Sequence, residues 1–276
     1  MSIIDTKKFH YVVNKLRSFF IEKGFLECHT QNRLSILAAC EDPSTITCFN
    51  YAGDKWPLPQ TGQMWLEWEM MKNPEVPGYF VVSTSYRQEP NPIPGRHDLI
   101  FPMFEFEFKG NINDLEKLER ELLLYLGYGE RIYPSGDYEQ IAKDYETYEL
   151  HHEHEQRLYK EYGNAFFLKN FPEYTSPFWN MKRNNNKTAN KIDVILSGME
   201  TIGSAERGVN IEEMRERFKS ISNGMYANTL YNHFGKERID KELEEYFGLE
   251  FIERSGGGIG ITRLIRSMEL EGLIPE

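Results

Sequence analysis

The residues able to do chemistry gather first in residues 81–110, VVSTSYRQEPNPIPGRHDLIFPMFEFEFKG. The stretch reads as strand, loop, strand. Alternation in VVSTSYRQE sets Ser83, Ser85, Arg87 and Glu89 on one face and Val82, Thr84 and Tyr86 on the other. In FPMFEFEF, Phe104, Phe106 and Phe108 share one face, and Met103, Glu105 and Glu107 the opposite one. Two antiparallel neighbours of this kind turn aromatics to a core. They turn Arg87, Glu89 and Glu105 the other way, as a charged surface able to hold a small polar ligand. A hairpin with a solvated outer face fits the same pattern. The loop between them, residues 90–96, holds three prolines and a glycine, which stiffen it and bar it from any ladder. Gln63 and Glu67, four apart, lie on one face of a helix that starts near Gln63 after Gly62. An exposed polar pair on a surface helix explains them equally well. Residues 254–266 read RSGGGIGITRLIR. Glycines in a strand there let a flat ring approach the backbone, and Arg263 opens the following helix; a plain turn before a helix is the alternative.

Other elements must position these groups. Residues 6–24 form an amphipathic helix with Phe9, Val12, Val13, Leu16, Phe19 and Phe20 at helical spacing, stopped by Gly24. A strand over 25–30 follows, then a loop-rich stretch, 32–60, carrying Glu41, Asp42 and Lys55. Residues 114–126 read as a helix with Leu115, Leu118, Leu122 and Leu126 in register, capped by Asn113 or Asp114 and ended by Gly127. Residues 128–163 are acidic, tyrosine-rich and helical in tendency. Their His151-His152-Glu153-His154-Glu155 run lacks HExxH spacing and reads as a solvated face rather than a metal site. Strands are expected over 165–168, 177–181 and 191–196, and helices over 211–223 and 239–246.

The 276 residues suffice for one large domain, residues 1–276, with a substantial core. Hydrophobic content of 40% and aromatic content of 14% mark a folded globular chain. The net charge of −11 argues against tight non-specific nucleic-acid binding. No apolar run of about 18 residues exists to span a membrane, and MSIIDTKKFHYVV lacks a signal-peptide layout. Cys28, Cys40 and Cys48 are odd in number and lack metal-ligand spacing, so they read as reduced, mostly buried thiols of a cytoplasmic protein.

Tyr86-Arg87-Gln88-Glu89, Arg96-His97, Phe101 and Met103-Phe104-Glu105 resemble motif 2 of the class II aminoacyl-tRNA synthetases, most closely the asparaginyl/aspartyl branch. The first helix followed by residues 24–30, GFLECHT, resembles motif 1, the family's dimer interface, with Gln31 where a proline is usual. Residues 61–67, TGQMWLE, resemble the asparaginyl "SGQ…E" signature. Aspartyl enzymes and the archaeal asparagine synthetases carry a lysine where Leu66 stands. From Asn170 onward, the order NFP, PFW, DV, GxExIG and Arg207 is similar to the asparaginyl core, and residues 256–263 to motif 3. Ile100 and Thr262 stand where the family has acidic residues.

The resemblance implies an α+β fold, the class II synthetase catalytic domain: a mainly antiparallel sheet flanked by helices, as a homodimer. It implies attack of an amino-acid carboxylate on the α-phosphorus of ATP. In that scheme Arg87 grips the α-phosphate and carboxylate, Arg263 the γ-phosphate, and Arg96 or His97 the distal phosphates. Glu89 and Phe101 address adenine over the floor of Gly258 and Gly260. Asp193 and Glu200 hold Mg2+, Glu105 takes the substrate ammonium, and Gln63, Glu67 and Arg207 select the side chain. A lysine would pair with a substrate carboxylate, whereas Glu67 repels one and accepts from an amide NH2. Asparagine or a related amide is therefore the expected substrate. Only a few residues precede the first helix, so the family's N-terminal anticodon-binding barrel is expected to be missing. A free-standing ligase that passes its adenylate to a small-molecule acceptor is the leading expectation. The alternatives are an ammonia-dependent asparagine synthetase using aspartate, a truncated asparagine–tRNA ligase acting on the tRNA acceptor end, and a non-catalytic nucleotide-binding paralogue.

Overall fold

A computed structural model of the protein describes residues 4–31, 34–37, 43–129 and 133–275, so Cys40, Glu41 and Asp42 lie outside the described residues. In chain order the elements are α1 (Thr6–Glu22), β1 (Leu26–Glu27), β2 (Cys48–Tyr51), β3 (Asp54–Pro57), α2 (Gln63–Lys72), β4 (Gly78–Tyr86), β5 (Ile100–Lys109), α3 (Ile112–Leu126), β6 (Ser135–Asp137), α4 (Tyr138–Asp144), α5 (His152–Tyr162), β7 (Ala165–Pro172), β8 (Thr188–Leu196), β9 (Met199–Glu206), α6 (Ile211–Ser220), α7 (Met225–Phe234), α8 (Lys236–Phe247), β10 (Arg254–Gly260) and α9 (Ile261–Leu270). Eight strands make one sheet in the order β1-β4-β5-β10-β9-β8-β7-β6, and β2 pairs with β3 apart from it. The two outermost pairings are parallel. The inner ones are antiparallel. This is the mainly antiparallel, helix-flanked sheet that the sequence implied.

Alternation decides which face is which. Phe80, Phe104, Phe106, Ile192, Ile202 and Ile259 pack from the sheet onto the apolar faces of α1, α3 and α9. The Phe20 ring of α1 sits 5.0 Å from the centroids of both Phe104 and Phe106, within the range of favourable aromatic contact. Two of the three helices that carry this core, α1 and α3, have side-chain caps. Asp5 accepts from the amides of Lys7 and Lys8, and Asn111 forms a capping box with Asp114. Gly127 closes α3 at φ +105°, a left-handed turn suited to glycine. On the opposite face Trp179, Phe218, Tyr226 and Tyr246 build a second core with α6, α7 and α8.

Several expectations need correcting. The strand over 25–30 shrinks to β1, two residues long. The first strand of residues 81–110 ends at Tyr86, so Arg87 and Glu89 lie in the connection beyond it. The Arg87 amide still donates to the Leu99 carbonyl at 2.8 Å, which keeps that side chain in register with the sheet face. Residues 177–181 form a turn with a single bridge from Met181 to Arg207, not a strand. The β2–β3 hairpin and α7 were not foreseen, and the cap of α3 is Asn111. Cys28 and Cys48 are free and only half-buried. Burial, with nearby carboxylates, pushes the Cys28 thiol up to about 12. Among the described residues no helix is long and apolar enough to cross a membrane.

Candidate active site

The register of β10 against β5 builds the floor. Gly256 stands opposite Glu107, Gly258 opposite Glu105 and Gly260 opposite Met103. A Cβ on Gly256 would lie 2.0 Å from Glu107 Oε2 and 2.3 Å from the Phe106 carbonyl. Bare backbone is therefore obligatory where the carboxylates of β5 lean across. Above this floor lies a cleft of about 360 Å³. Gln63, Glu67, Arg87, Glu89, Arg96, His97, Phe101, Glu105, Glu200, Arg207, Gly258, Gly260 and Arg263 all line it. Of the side chains that the resemblance assigns a role, Asp193 is the one absent from this lining. It is 7% exposed and pairs with Lys191 at 3.3 Å.

One end of the cleft is cationic. Arg263, on the first turn of α9, donates from Nη1 to the Glu200 carbonyl at 2.7 Å and stands 3.7 Å from Glu200 Oε2. Burial would raise the Glu200 pKa, but Arg263, Lys191, Arg87 and Arg96 outweigh it and hold the carboxyl below its ordinary value. The Arg87 guanidinium lies 5.7 Å from the Phe101 ring centroid. Burial keeps the His97 imidazole below its usual range, and the neighbouring arginines act the same way. Arg96 is anchored from α5: its Nη2 donates to Glu155 Oε1 at 2.6 Å, while Glu155 Oε2 accepts from the Glu200 amide at 2.8 Å. Glu155 therefore turns inward, and the expectation of a wholly solvated acidic face on α5 fails at this residue. Among the described residues no group of three or more histidine, cysteine or acidic side chains could hold a metal. The pair Asp193 and Glu200 does fit a magnesium ion. A Cβ on Gly203 would meet Glu200 Oε1 at 3.1 Å and Asp193 Oδ1 at 3.7 Å, so both carboxylates converge over a glycine that leaves them room. Two hard oxygen donors suit an ion that keeps several waters and completes its shell with phosphate oxygens.

The other end is a buried polar floor. Glu67 is fully buried. Its Oε1 accepts from Asn180 Nδ2 at 2.7 Å, and its Oε2 from Arg254 Nη2 at 2.6 Å and the Tyr246 hydroxyl at 2.7 Å. Arg207 lies with Nε 3.6 Å from Glu67 Oε1 and Nη2 3.3 Å from Glu107 Oε2. Gln63 donates to that same Glu107 oxygen and, at 3.1 Å, to the Phe106 carbonyl. Burial raises the Glu107 carboxyl to about 7 against the pull of Arg207 and Arg254. Glu105 is also spoken for: Oε1 accepts from Thr61 and both oxygens from the Gly62 amide, at 3.0 and 2.9 Å, with Ser83 on Oε2 at 2.6 Å. It thereby fastens the start of α2 to the sheet. Glu107, Asn180, Tyr246, Arg254 and Glu155 were not singled out in the sequence. Glu107 was visible as the next residue on the face of Glu105. Arg254 stood at the head of the glycine segment, where nothing distinguished it from a surface charge.

The family model for class II tRNA synthetases (D, K and N) matches residues 5–273. The chain belongs to this family. Its fold is shared with the asparaginyl-tRNA synthetase of Pyrococcus horikoshii, solved with asparaginyl-adenylate: TM-score 0.76 at 18% identity, covering 95% of this chain and 64% of that one. A putative aspartyl-tRNA synthetase of Leishmania major Friedlin gives a TM-score of 0.73 at 15% identity over 95% of this chain and 61% of its own. An asparagine–tRNA ligase of Cytophaga hutchinsonii is 29% identical over 105 residues, 37% of this chain and 22% of the ligase. The class II synthetase-like chain thus spans under two thirds of the length of these relatives.

Proposed function

We propose that the protein activates an amino acid with an amide side chain, asparagine first among them, as an aminoacyl-adenylate, and passes it to a small-molecule acceptor. The observation that carries this is the polarity of the cleft. Arg87, Arg96 and Arg263 line one end and Gln63, Glu67 and Arg207 the other, with the glycines of β10 beneath. A triphosphate and an amino acid laid along it meet at Arg87. Displacement at the α-phosphorus asks chiefly for alignment and neutralisation of charge, which fixed guanidinium groups supply. Arg87 holds the carboxylate against the α-phosphate, and Arg263 draws pyrophosphate away. Glu89 and Phe101 hold adenine over Gly258 and Gly260. Asp193 and Glu200 would hold magnesium, which adds neutralisation on the phosphate oxygens. Glu105 serves the substrate ammonium while keeping its own ties to α2.

A second reading has one observation behind it. Arg254 lies 2.6 Å from Glu67, so the charge that disfavours aspartate is locally offset, and an asparagine synthetase using aspartate and ammonia is the alternative. In either reading two copies pair through α1 and β1, where Ile21 and Leu26 are 56% and 52% exposed; sedimentation at twice 32.5 kDa tests that pairing. The functional test is ATP–pyrophosphate exchange without tRNA. Exchange with asparagine that is abolished by Arg87→Ala and Arg263→Ala is the expected result. Exchange with aspartate alone would replace the first reading with the second.

A further inference from the structure

Asn180 lies between β7 and β8, is 1% exposed, and lines the cleft beside Met64, Glu67 and Arg207. Its amide has one orientation compatible with its neighbours. Nδ2 donates to Glu67 Oε1 at 2.7 Å and lies 3.5 Å from Met64 Sδ. Turning the amide over would set Oδ1 against a carboxylate oxygen. Oδ1 is therefore committed as an acceptor, and no donor among the described residues reaches it. A buried acceptor without a donor destabilises the fold, and such groups persist where something else satisfies them. Gln60 Oε1 is in a similar position. Its Nε2, however, bonds the Thr45 hydroxyl at 2.8 Å, and a hydroxyl both donates and accepts, so that amide is free to reverse.

Glu67 keeps its two oxygens in different surroundings. The groups on its Oε2, Arg254 and Tyr246, are not among the residues lining the cleft, whereas those near Oε1, Asn180 and Arg207, are. Oε1 is thus the oxygen on the cleft side of Glu67, buried but with acceptor capacity left. Two acceptors, tied together by the bond between their own side chains, thus stand side by side in the wall of the cleft, buried, with the Arg207 guanidinium alongside.

We propose that Asn180 is a specificity-determining residue: its Oδ1 accepts one N–H of the substrate's terminal amide while Glu67 Oε1 accepts the other, and Arg207 takes the amide oxygen. This rests on the amino-acid-activating reading above and narrows its substrate class to a primary carboxamide. A carboxylate side chain has no N–H to give and sets an oxygen against both acceptors. The discrimination then comes from counting donors rather than from net charge, so it survives the offset of Glu67 by Arg254.

The probes are L-asparagine, L-aspartate and L-4-oxonorvaline, the methyl-ketone analogue that keeps the carbonyl and lacks both N–H groups. Calorimetry on the full chain with a non-hydrolysable ATP analogue reads binding, and pyrophosphate exchange on the same samples reads turnover. In Asn180→Leu the preference for asparagine over the ketone falls roughly 5- to 100-fold, with affinity for the ATP analogue unchanged. Should that variant not fold, Asn180→Ser keeps a donor for Glu67 but stops short of the ligand, and shows the same loss. A variant that keeps the full asparagine-to-ketone ratio overturns the inference. So does a wild type that binds all three probes alike. A difference in binding without any exchange keeps the role of Asn180 and overturns the adenylate-forming reading instead.

Discussion

Gly258→Ala separates the nucleotide floor from the fold. The added Cβ would stand 2.6 Å from Met103 Cε and 3.7 Å from Glu105 Cγ. The first is the free end of a flexible side chain, and the second is ordinary contact, so the chain folds with a small shift of Met103. The methyl then rises from the strand into the cleft where adenine is proposed to lie. Forcing one extra carbon against a close-packed face costs roughly 1–3 kcal/mol, which is about a 5- to 150-fold loss of ATP affinity. Gly257→Ala is the control. Its Cβ would meet Ser204 Cβ at 2.5 Å and the Gly203 carbonyl at 2.8 Å, rigid neighbours that cannot withdraw, so it lowers stability. Gly256→Ala, blocked by the Phe106 carbonyl at 2.3 Å, prevents folding. The assay is calorimetric titration with an ATP analogue beside a thermal melt. A Gly258→Ala protein with wild-type melting and wild-type nucleotide affinity would refute the placement of adenine on β10.

Glu155→Ala removes the partner of Arg96 at 2.6 Å; stability drops by roughly 1–3 kcal/mol and ATP affinity falls, whereas a gain in affinity would show Glu155 competing with phosphate for Arg96. Glu119 of α3 is fully buried, neither carboxylate oxygen has a well-formed hydrogen bond among the described residues, and burial raises its pKa from 4.5 to about 8 against the pull of the nearby Ser204 hydroxyl. The unfolded chain releases this proton from about pH 4.5 upward while the folded chain keeps it to about pH 8, so stability is lost as pH rises through that window. At pH 7 the loss is on the order of 3 kcal/mol. Urea titrations at pH 5 and pH 7.5 should show the wild type losing stability relative to Glu119→Gln, and parallel curves would sink the assignment. Arg254→Met leaves Arg207 alone to offset Glu67 and Glu107, so one buried carboxylate loses its counter-charge and the fold is destabilised by roughly 3–5 kcal/mol in the same titration; a variant within about 1 kcal/mol of wild type would show that one of the two carboxyls is neutral.

How far the sequence reached depends on the range of the interactions involved. Alternation in β5 is local, so the split between Phe104, Phe106 and Phe108 on one face and Glu105 and Glu107 on the other was readable and holds. Helical periodicity placed α1 and α3 for the same reason. The strand proposed over 177–181 failed because FWNM is apolar enough for a strand, but its backbone turns to seat Trp179 in the second core and Asn180 against Glu67. Glu155 misled for a related reason. In a run of histidines and glutamates nothing local distinguishes the one carboxylate that meets an arginine 59 positions away. Arg254 and Tyr246 reach Glu67 from 187 and 179 positions along the chain, beyond any periodic pattern.

That distance also bears on how the cleft chooses its ligand. Glu67, Glu107, Arg207 and Arg254 are two carboxyls and two guanidinium groups in mutual contact, all nearly or wholly removed from water. With both carboxyls ionised the set sums to zero, so it presents no large field to tell an acid from an amide. Leu66 and Glu67 alone suggested selection by charge; with Arg254 beside Glu67 that argument weakens. What remains fixed is direction. Arg254 and Tyr246 hold one oxygen of Glu67 away from the cleft, Asn180 holds the other toward it, and Glu107 sets the plane of Arg207. A site built in this way discriminates by leaving its own acceptors unpaired when the wrong ligand enters, which in a buried setting outweighs the modest gain from any one correct hydrogen bond.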